Sequence, residues 1–590
     1  DGATAAADGD VVGALERASP GILAALPPWA LDGAAAAAAA SAAARAVGFG
    51  ASNACGEHHL PVLTIDGEEA EEIDDGVSVE RAHDGGLWVH VHVASPTVRI
   101  APFSQLDTLA AARAKTIYLP EGSVPMLPAH LARGPGGTGL EPTAGPSAEP
   151  RRALTLSARI DEASGAVVQM RLQESVLPTV LALTYAGADT LLHAADASDA
   201  AAAADAGSSG SSISAKGTVA SLRLLEHVAR ARRARRLTHG ALTLSLPRPS
   251  ARVCLATHRV RVGSSVAPLG ARSASIVEEL MILAGELCAE LALLHALPLA
   301  FRAQTLPAEP DEPQQLALSR LRELCAPKSP PNARTDASTD AQTELLIMSV
   351  GVLPLLRAAS TSLAPMDGHA TLGLRAYAQV TSPLRRSLDL VAHHQLRALL
   401  ACAGGGALEG TPLDADGFAA AAASLAALDA DPNGELEAQL DARAAERGLP
   451  LSCAHVRARI AHVLARSAQI DRLELVSSRF WTLQYLAQRA RDGESEYDAI
   501  ALARDTATGP RGGGPGVGLS TMVLLPEIGL RTWLRDCDCT PGERLRVRVH
   551  KVHAHRGMLG LQLASAPALT PAPARPLARR DAPALSLIHI

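Results

Sequence analysis

Seven of the ten residues from position 66 to position 75 are carboxylates. They are Asp66, Glu68, Glu69, Glu71, Glu72, Asp74 and Asp75. Negative charges packed this closely repel one another unless water solvates them or a cation lies among them. Hard divalent cations prefer carboxylate oxygens, so a metal site is one interpretation and a solvated acidic face is the other. A helix-loop-helix calcium site is a poor fit, because the stretch lacks the alternating ligands and closing glutamate of that loop.

The sequence on either side of the acids predicts strands. Residues 61–65 form an apolar, β-prone run that should bring Asp66 to the end of a buried strand. Residues 77–80 alternate between apolar and polar, which is the period of a second strand. The Asp-Gly-Gly turn at 84–86 is typical of a hairpin, with residues 87–94 as its returning strand. The acids are therefore expected on a rigid loop between strands, which favours the metal site.

A pair of arginines, Arg385 and Arg386, follows some three hundred residues later. The Thr-Ser-Pro segment 381–383 before them is typical of a helix cap and first turn. Both arginines should then lie in the first helical turn, where free N–H groups and the helix dipole favour an anion such as phosphate. The alternative is a surface ion pair between Arg385 and Asp389 at i,i+4. The apolar stripe of this predicted helix consists of Leu384, Leu388 and Val391.

Composition narrows the class of protein. A chain of 590 residues can bury several cores, so about two to four domains are expected. The formal net charge of −7 does not indicate a nucleic-acid binder, although the acidic loop alone contributes seven negative charges. The eight cysteines show no Cys-x-x-Cys spacing, which predicts reduced thiols in an intracellular compartment. No apolar run reaches transmembrane length, so no membrane partner is expected.

Taken together and in this order, the two motifs resemble the catalytic domain of the ribonuclease II / ribonuclease R family, the RNB domain. The acidic motif reads TIDGEEAEEIDDGVSV and the arginine motif reads YAQVTSPLRRSLDLVAHHQL. A third segment, LDTLAAARAKTIYLPEGSVPMLP at 106–128, also resembles the family. The similarity covers roughly residues 60–400. Within the family, the motifs are closer to the cyanobacterial and plant-organelle branch than to the bacterial enzymes.

The resemblance implies a magnesium-dependent 3′→5′ exoribonuclease that hydrolyses single-stranded RNA to nucleoside 5′-monophosphates. It assigns catalysis to Asp66, Asp74, Asp75 and Arg385, and one or two Mg²⁺ ions to Asp66, Glu72, Asp74 and Asp75. It assigns RNA contacts near the 3′ end to Tyr118, Tyr185, Glu278 and Arg386. For Tyr118, a core position is the alternative. Chloroplast or mitochondrion is the expected compartment, and a soluble monomer is expected.

Two positions depart from the family pattern. Leu244 stands where ribonuclease II places a base-clamping phenylalanine, and Ser387 replaces the tyrosine that usually follows the paired arginines. These departures keep open an RNA-binding relative that has weak or lost catalysis. A third hypothesis is a metal-binding scaffold or unrelated phosphohydrolase with a fortuitous acidic loop. Arginine-rich residues 230–236 are interpreted as a solvated helix face, with a channel wall as the alternative.

The expected fold class is α+β: an RNB catalytic domain with a mixed β-sheet and surrounding helices, then an all-β OB-fold barrel of the S1 type. The predicted parts are an Ala-rich segment at 1–59, the catalytic domain at 60–400, a low-complexity loop and helices completing it at 401–492, the barrel at 493–565 and a flexible tail at 566–590. On one barrel strand, alternation should expose three arginines that grip RNA phosphates, namely Arg544, Arg546 and Arg548.

Several local expectations complete the analysis. Residues 132–150 and 195–216 are rich in small residues and are predicted to be solvent loops. Phe480 and Trp481 are predicted to be core residues. The chain begins at Asp1 without a methionine, so we expect a fragment or a processed form, with any upstream RNA-binding domains absent or outside it.

Overall fold

The computed structural model describes residues 56–564 except 58–59, 135, 144–148, 203–212, 245, 266–270, 307–309, 326–338, 367, 432–433 and 505–519. The predicted Ala-rich segment and the tail at 566–590 lie outside the described residues, apart from the short strand at the end of the first. No helix in these described ranges is long and apolar enough to cross a membrane.

The strands are β1 Gly56–Glu57, β2 Val62–Asp66, β3 Asp75–Arg81, β4 Leu87–Ala94, β5 Ile117–Leu119, β6 Gly122–Val124, β7 Arg151–Ile160, β8 Val167–Leu177, β9 Val180–Thr184, β10 Pro249–Cys254, β11 Arg259–Ser264, β12 Phe301–Ala303, β13 Ser360–Ser362, β14 Leu408–Gly410, β15 Glu496–Arg504, β16 Ser520–Leu525, β17 Leu530–Arg535, β18 Arg544–His553 and β19 Met558–Leu563. The helices are α1 Gln105–Arg113, α2 Ala129–Ala132, α3 Tyr185–Ala202, α4 Ile213–Thr238, α5 Arg272–Leu294, α6 Glu312–Cys325, α7 Thr339–Val352, α8 Ser387–Cys402, α9 Ala415–Ala426, α10 Glu435–Glu446 and α11 Cys453–Arg491.

A mixed sheet positions the acidic motif. Its strand order is β1-β8-β7-β4-β3-β2-β9, and β14 adds to β8. The pairs β2–β9 and β1–β8 are parallel, whereas the central neighbours are antiparallel. All eight residues of β4 are buried, because its valines face the apolar core while its histidines bond to hydroxyls on β7. The predicted strand, hairpin and returning strand are therefore confirmed, and so is the mixed α+β class.

Helix α5 packs against the mixed sheet. Seventeen of its residues are buried, and twelve of them belong to the largest core cluster. Helix α4 packs beside α5 and carries the arginine run. Arg232 and Arg236 are buried and pair with Glu286 and Glu279 of α5. The prediction of a solvated arginine face was therefore wrong for these two, because α5 supplies carboxylates that neutralise them.

The C-terminal part is a separate five-stranded antiparallel sheet with the order β17-β16-β15-β18-β19. It curls until its edge strands β17 and β19 come together, as in a nearly closed OB-like barrel. Its core includes Tyr497, Val523 and Val547. Strand β18 alternates as predicted, with its three arginines exposed and Val547 and Val549 buried.

Several local predictions were wrong. The stretch 132–150 was predicted to be a solvent loop, but Leu140 is fully buried and its backbone N–H donates to the carbonyl of Ile73. The predicted loop at 195–216 overlaps the end of α3 and the start of α4. Trp481 is only partly buried, and its indole N–H donates to the Glu121 carboxylate. Phe480 is likewise partly buried.

Candidate active site

Two neighbouring strand ends bring the first acids together. In the parallel pair β2–β9, Asp66 lies opposite Thr184, so Asp66 and Tyr185 leave the sheet at the same edge. The antiparallel strand β3 begins at Asp75 on this edge, because Val77 pairs with Leu63. Gly76 permits the close approach of β3, since a Cβ there would lie 2.6 Å from Cγ1 of Val62.

The acidic run divides into an exposed and an enclosed set. Glu68, Glu69 and Glu71 are exposed, whereas Asp74 is buried and Asp66, Glu72 and Asp75 are partly buried. The interpretation as a solvated face therefore holds only for the middle of the run. The four enclosed carboxylates are the four that the resemblance assigned to metal binding.

The arginine motif reaches the acidic motif through Asp74. The backbone N–H of Leu384 donates to Oδ1 of Asp74 at 2.9 Å, and Nε of Arg385 donates to Oδ2 at 3.1 Å. Both oxygens of this carboxylate therefore receive a bond from one two-residue segment. The alternative ion pair between Arg385 and Asp389 is absent, because Asp389 instead accepts from Arg386 at 2.8 Å.

The helix after the arginines begins later than predicted. Helix α8 starts at Ser387, so Arg385 and Arg386 precede it rather than lying in its first turn. Residues 383–385 form a turn, and Arg386 after it is extended. Tertiary hydrogen bonds hold this segment: Thr116 N donates to the carbonyl of Arg385, and Ser387 N donates to that of Ala114. The prediction of a helix-dipole phosphate site at these arginines was wrong for that reason.

The third segment joins the site through Glu72. Thr116 Oγ1 donates to one oxygen of Glu72 at 2.9 Å, and the Tyr118 hydroxyl donates to the other at 2.6 Å. Tyr118 is therefore not a simple core tyrosine. Glu72 is held by hydroxyl groups and not by an arginine.

Sequence reasoning missed a second layer supplied by α11. Glu474 accepts a hydrogen bond from the backbone N–H of Tyr118 at 2.9 Å and pairs with Lys115 at 3.0 Å. Lys115 also pairs with Asp471. The sequence signals were a loose resemblance to the family at Glu474, which assigned it no catalytic role, and the i,i+3 spacing of two acids on a helix, which is too common to select this pair. Glu121 also links the third segment to α11, because its carboxylate accepts hydrogen bonds from Ser477 and Trp481.

The enclosed acids carry uncompensated negative charge. Burial, partly offset by Arg385, raises the pKa of Asp74 to about 7. Burial and the neighbouring Asp74 raise the pKa of Asp66, and burial and Asp66 raise the pKa of Asp75. Burial by itself lowers the pKa of Arg385. Asp74 and the other nearby groups outweigh this effect, so the pKa of Arg385 is raised. Arg385 thus neutralises only part of the cluster.

This electrostatic balance allows a test of whether the residues suit a metal ion. As they stand, no three or more acidic, histidine or cysteine side chains within the described ranges are arranged to hold a metal. The donor set is nevertheless all-oxygen, which suits Mg²⁺. The raised pKa values of Asp66, Asp74 and Asp75 indicate that a positive charge would be favoured there. The residues therefore fit a hard cation in type and charge.

The remaining predicted residues lie at different distances from this centre. Tyr185 is close enough to Asp75 and Asp66 for their charges to reinforce the effect of burial, which raises its pKa. Burial and Glu279 raise the pKa of Glu278, which lies on α5 beside Arg233 and Arg236. Arg386 is buried beside Asp389, so its side chain supports the arginine segment and does not face solvent.

The two departures from the family pattern have different surroundings. Ser387 is buried, and its hydroxyl lies 3.3 Å from Arg459, which also pairs with Asp107. Arg459 of α11 therefore contacts the position at which the family pattern has a tyrosine. Leu244 packs against an apolar cluster that includes Leu242 and Leu321.

The barrel arginines are not equivalent. Arg546 pairs with Asp498 at 2.8 Å, and Arg548 pairs with Glu496 at 2.5 Å. Among the described residues, none forms an ion pair with Arg544. The proposed phosphate grip therefore rests most directly on Arg544, since the other two charges are partly neutralised.

Comparison with known proteins agrees with this geometry. The family model described as the RNB domain matches residues 58–401. The chain is 27% identical over 500 residues to an uncharacterized ribonuclease of Synechocystis, covering 84% of this chain and 58% of that protein. It is also 27% identical over 501 residues to the chloroplastic/mitochondrial ribonuclease II of Arabidopsis thaliana, covering 84% of this chain and 48% of that protein. The chain thus spans about half the length of these relatives.

Solved structures share the fold. Apo RNase R of Mycoplasma genitalium superposes with a TM-score of 0.60 at 17% identity, covering 87% of this chain and 72% of that one. Yeast Ssd1, described as a pseudonuclease, superposes with a TM-score of 0.50 at 14% identity, covering 81% of this chain and 49% of that one. The family match spans more than half of the chain, and it includes both motifs and the segment that joins them. The chain belongs to the RNB family of ribonucleases.

Proposed function

We propose that this chain is a magnesium-dependent 3′→5′ exoribonuclease that hydrolyses single-stranded RNA to nucleoside 5′-monophosphates. The observation that supports it best is the bond from Arg385 to Asp74, at 3.1 Å, inside a cluster of under-neutralised carboxylates. A fortuitous acidic loop gives no reason for two distant segments to bond to its enclosed carboxylates, the arginine segment to Asp74 and the third segment to Glu72. RNA is the proposed partner, and a monomer is the proposed state.

Each enclosed side chain has a proposed role. Asp66, Asp74 and Asp75, with Glu72 through a water, would hold one or two Mg²⁺ ions. Bound magnesium supplies an activated water for attack on the phosphorus and steadies the departing 3′ oxygen. The P–O3′ bond breaks, so the phosphate leaves on the 5′ carbon of the released nucleotide.

Arg385 would neutralise the charge that gathers on the phosphoryl oxygens in the transition state. Its guanidinium is fixed beforehand, because Asp74 accepts its Nε–H. A donor that needs no reorientation during the reaction contributes most in a site from which water is largely excluded. The proposal therefore gives Asp74 two tasks, cation binding and orientation of Arg385.

Tyr118, Tyr185 and Glu278 would orient the last nucleotides of the strand. The Tyr118 hydroxyl is committed to Glu72, so its ring face is the part available to a base. Stacking of this kind is worth about 1–3 kcal/mol per base. A carboxylate such as Glu278 can accept a hydrogen bond from a ribose hydroxyl, which is how RNA is distinguished from DNA.

An RNA-binding relative with weak or lost catalysis is the alternative. Ser387, Leu244 and the shared fold with the pseudonuclease Ssd1 favour it. Against it, the chain has all four enclosed carboxylates and Arg385, which pairs with Asp74. The names of the Arabidopsis relative and of fungal mitochondrial relatives support a chloroplast or mitochondrion as the compartment.

The deciding experiment uses single-stranded RNA labelled at its 5′ end, incubated with the chain and Mg²⁺. The enzyme should give a ladder that shortens from the 3′ end, with nucleoside 5′-monophosphates as products. Asp74→Asn keeps an acceptor for Leu384 N but removes charge, so it should bind RNA and release nucleotides slower by orders of magnitude. If the unaltered chain leaves the RNA intact, the non-catalytic alternative is the hypothesis that remains. An active Asp74→Asn variant would overturn the assignment of this carboxylate.

A further inference from the structure

A second concave site lies between α4, α5 and the loops at 373–375 and 412–413. This site, here named the α4 cavity, has a volume of about 310 Å³. Its charged lining consists of Arg232, Arg235, Arg236, Arg375, Glu286 and Glu290. None of the acids at 66–75, and neither Arg385 nor Tyr118, belongs to the lining. Glu286 and Glu290 follow Glu278 by eight and twelve residues, about 12 and 18 Å along the helix.

Most charges in the α4 cavity are already paired. Arg375 Nε donates to Glu290 at 2.8 Å, and Arg232 pairs with Glu286. Arg236 pairs with Glu279, just outside the lining, with Nε 2.9 Å from the carboxylate. Both lining carboxylates therefore have an arginine partner. Within the residues that the structure describes, no ion pair involves Arg235.

One cationic group in the α4 cavity remains unpaired. Arg235 lines the cavity without an acidic partner among the described residues. The lining carries four arginines against two glutamates, so its formal charge is positive. An anion in the cavity would pair with Arg235.

The shape and walls of the α4 cavity restrict the anion. Val167, Met170, Leu287 and Leu413 provide apolar surface beside the arginines. Small-molecule sites usually have volumes of roughly 300–1,000 Å³ and combine apolar walls with a few polar groups. Arginine prefers phosphate, which accepts two parallel N–H bonds, and its planar group also stacks on flat rings. These features suit one phosphate group attached to one flat ring system.

We propose that the α4 cavity binds a small phosphomonoester of the nucleoside monophosphate type, separately from the carboxylate site. Arg235 would bind the phosphate, and the apolar wall would receive the base. This inference does not depend on the proposed nuclease activity, because it concerns residues that the activity does not use.

The test is calorimetric titration of the full chain with AMP, adenosine or inorganic phosphate, in EDTA and without RNA. EDTA leaves the carboxylate site without a cation, so that site should repel these anions. AMP should bind at one site, more tightly than phosphate, and adenosine should bind weakest. Arg235→Ala should weaken AMP binding about tenfold, equivalent to about 1.4 kcal/mol. Val167→Phe should also weaken it, by filling the cavity without changing charge.

Two matched variants complete the design. Arg230→Ala removes an exposed arginine of the same helix outside the cavity and should leave AMP affinity unchanged. Arg385→Ala should also leave it unchanged. If AMP does not bind, or if its binding is lost in Arg385→Ala and retained in Arg235→Ala, the α4 cavity is not the site. Circular dichroism of each variant distinguishes lost binding from lost folding.

Discussion

Nε of Arg385 lies 3.1 Å from Oδ2 of Asp74, although 311 residues separate the two in the chain. The N–H of Leu384 occupies the other oxygen of the same carboxylate. One carboxylate therefore fixes both the position of the arginine segment and the direction of its guanidinium. This relationship explains why the arginine motif and the acidic motif need each other, and it leads directly to a test.

Replacement of Arg385 by alanine should lower kcat for RNA hydrolysis about 10²–10³-fold, because a preorganised donor to the transition state is lost. KM should change less, since most RNA contacts are elsewhere. Arg385→Lys should recover only part of kcat, because lysine cannot give the Nε–H that Asp74 accepts. Steady-state kinetics on a single-stranded oligonucleotide measures both. An unchanged kcat in Arg385→Ala would remove this residue from the chemistry.

Replacement of Arg544 should have the opposite kinetic signature. This arginine is exposed on the barrel, and among the described residues none forms an ion pair with it. Arg544→Ala should raise KM, leave kcat nearly unchanged and reduce the slope of log affinity against log salt by about one. Arg548→Ala is the matched control. It should have a smaller effect, because Glu496 already neutralises Arg548.

Asp75→Asn should stabilise the protein when no divalent cation is present. Burial and the charge of Asp66 raise the pKa of Asp75, so its ionised form is disfavoured in the fold. At pH 8 in EDTA, the unfolding midpoint should rise by about 1 °C, as expected for about 1 kcal/mol of relieved repulsion in a chain of this length. Glu68→Gln, at an exposed position, should leave the midpoint unchanged.

Magnesium should reverse the order of stability of Asp75→Asn and the unaltered chain. Added Mg²⁺ should raise the midpoint of the unaltered chain, because a ligand that binds only the folded state stabilises it. The rise should be much smaller in Asp75→Asn. Differential scanning fluorimetry across a magnesium series gives both results. An Asp75→Asn variant that is less stable in EDTA would contradict the charge assignment.

Local sequence signals predicted the elements that depend on local pattern. Asp66 at a strand end, the turn at 84–86 and the exposed alternation of β18 follow from side-chain period and turn chemistry. Local pattern did not predict where α8 starts. Asp74 and Ala114 accept hydrogen bonds from the N–H groups that a helix cap would otherwise satisfy. The same limit applies to the arginine run, where burial of Arg236 depends on Glu279 from another helix.

Gly76 should be intolerant of a methyl group for a specific reason. A Cβ at this position would lie 2.6 Å from Cγ1 of Val62, and valine is too stiff to move aside. Gly76→Ala should destabilise the protein by about 1–3 kcal/mol and reduce activity, because Asp74 and Asp75 precede it directly. Activity and urea unfolding are the measurements.

A compensating change tests this cause. Val62→Ala removes the clashing methyl group, so the double variant should be more stable than the sum of the two single effects predicts. Coupling of about 0.5–3 kcal/mol is usual for residues in contact. Simple additivity of the two effects would show that the loss in Gly76→Ala has another origin.

Acid should destabilise the fold through His393. This side chain is fully buried, and its Nε2 donates to the carbonyl of Val380 at 2.9 Å. Nδ1 has no partner, so a second proton would place an unpaired charge in the core. Burial lowers the pKa of His393 from 6.5 to about 3. The unfolded state therefore binds more protons below pH 6.5, and stability is lost as the pH falls from there towards 3.

The loss expected from His393 alone between pH 7.5 and pH 5.5 is about 1.4 kcal/mol. The buried carboxylates titrate in the opposite direction, since their raised pKa values favour proton uptake by the folded state as the pH falls. His393→Gln isolates the histidine, because the glutamine amide can still donate to Val380 and the carboxylates are the same in both proteins. Urea unfolding of both proteins at the two pH values gives the difference. Equal losses in the two proteins would mean that His393 is already charged in the fold or is not buried in solution.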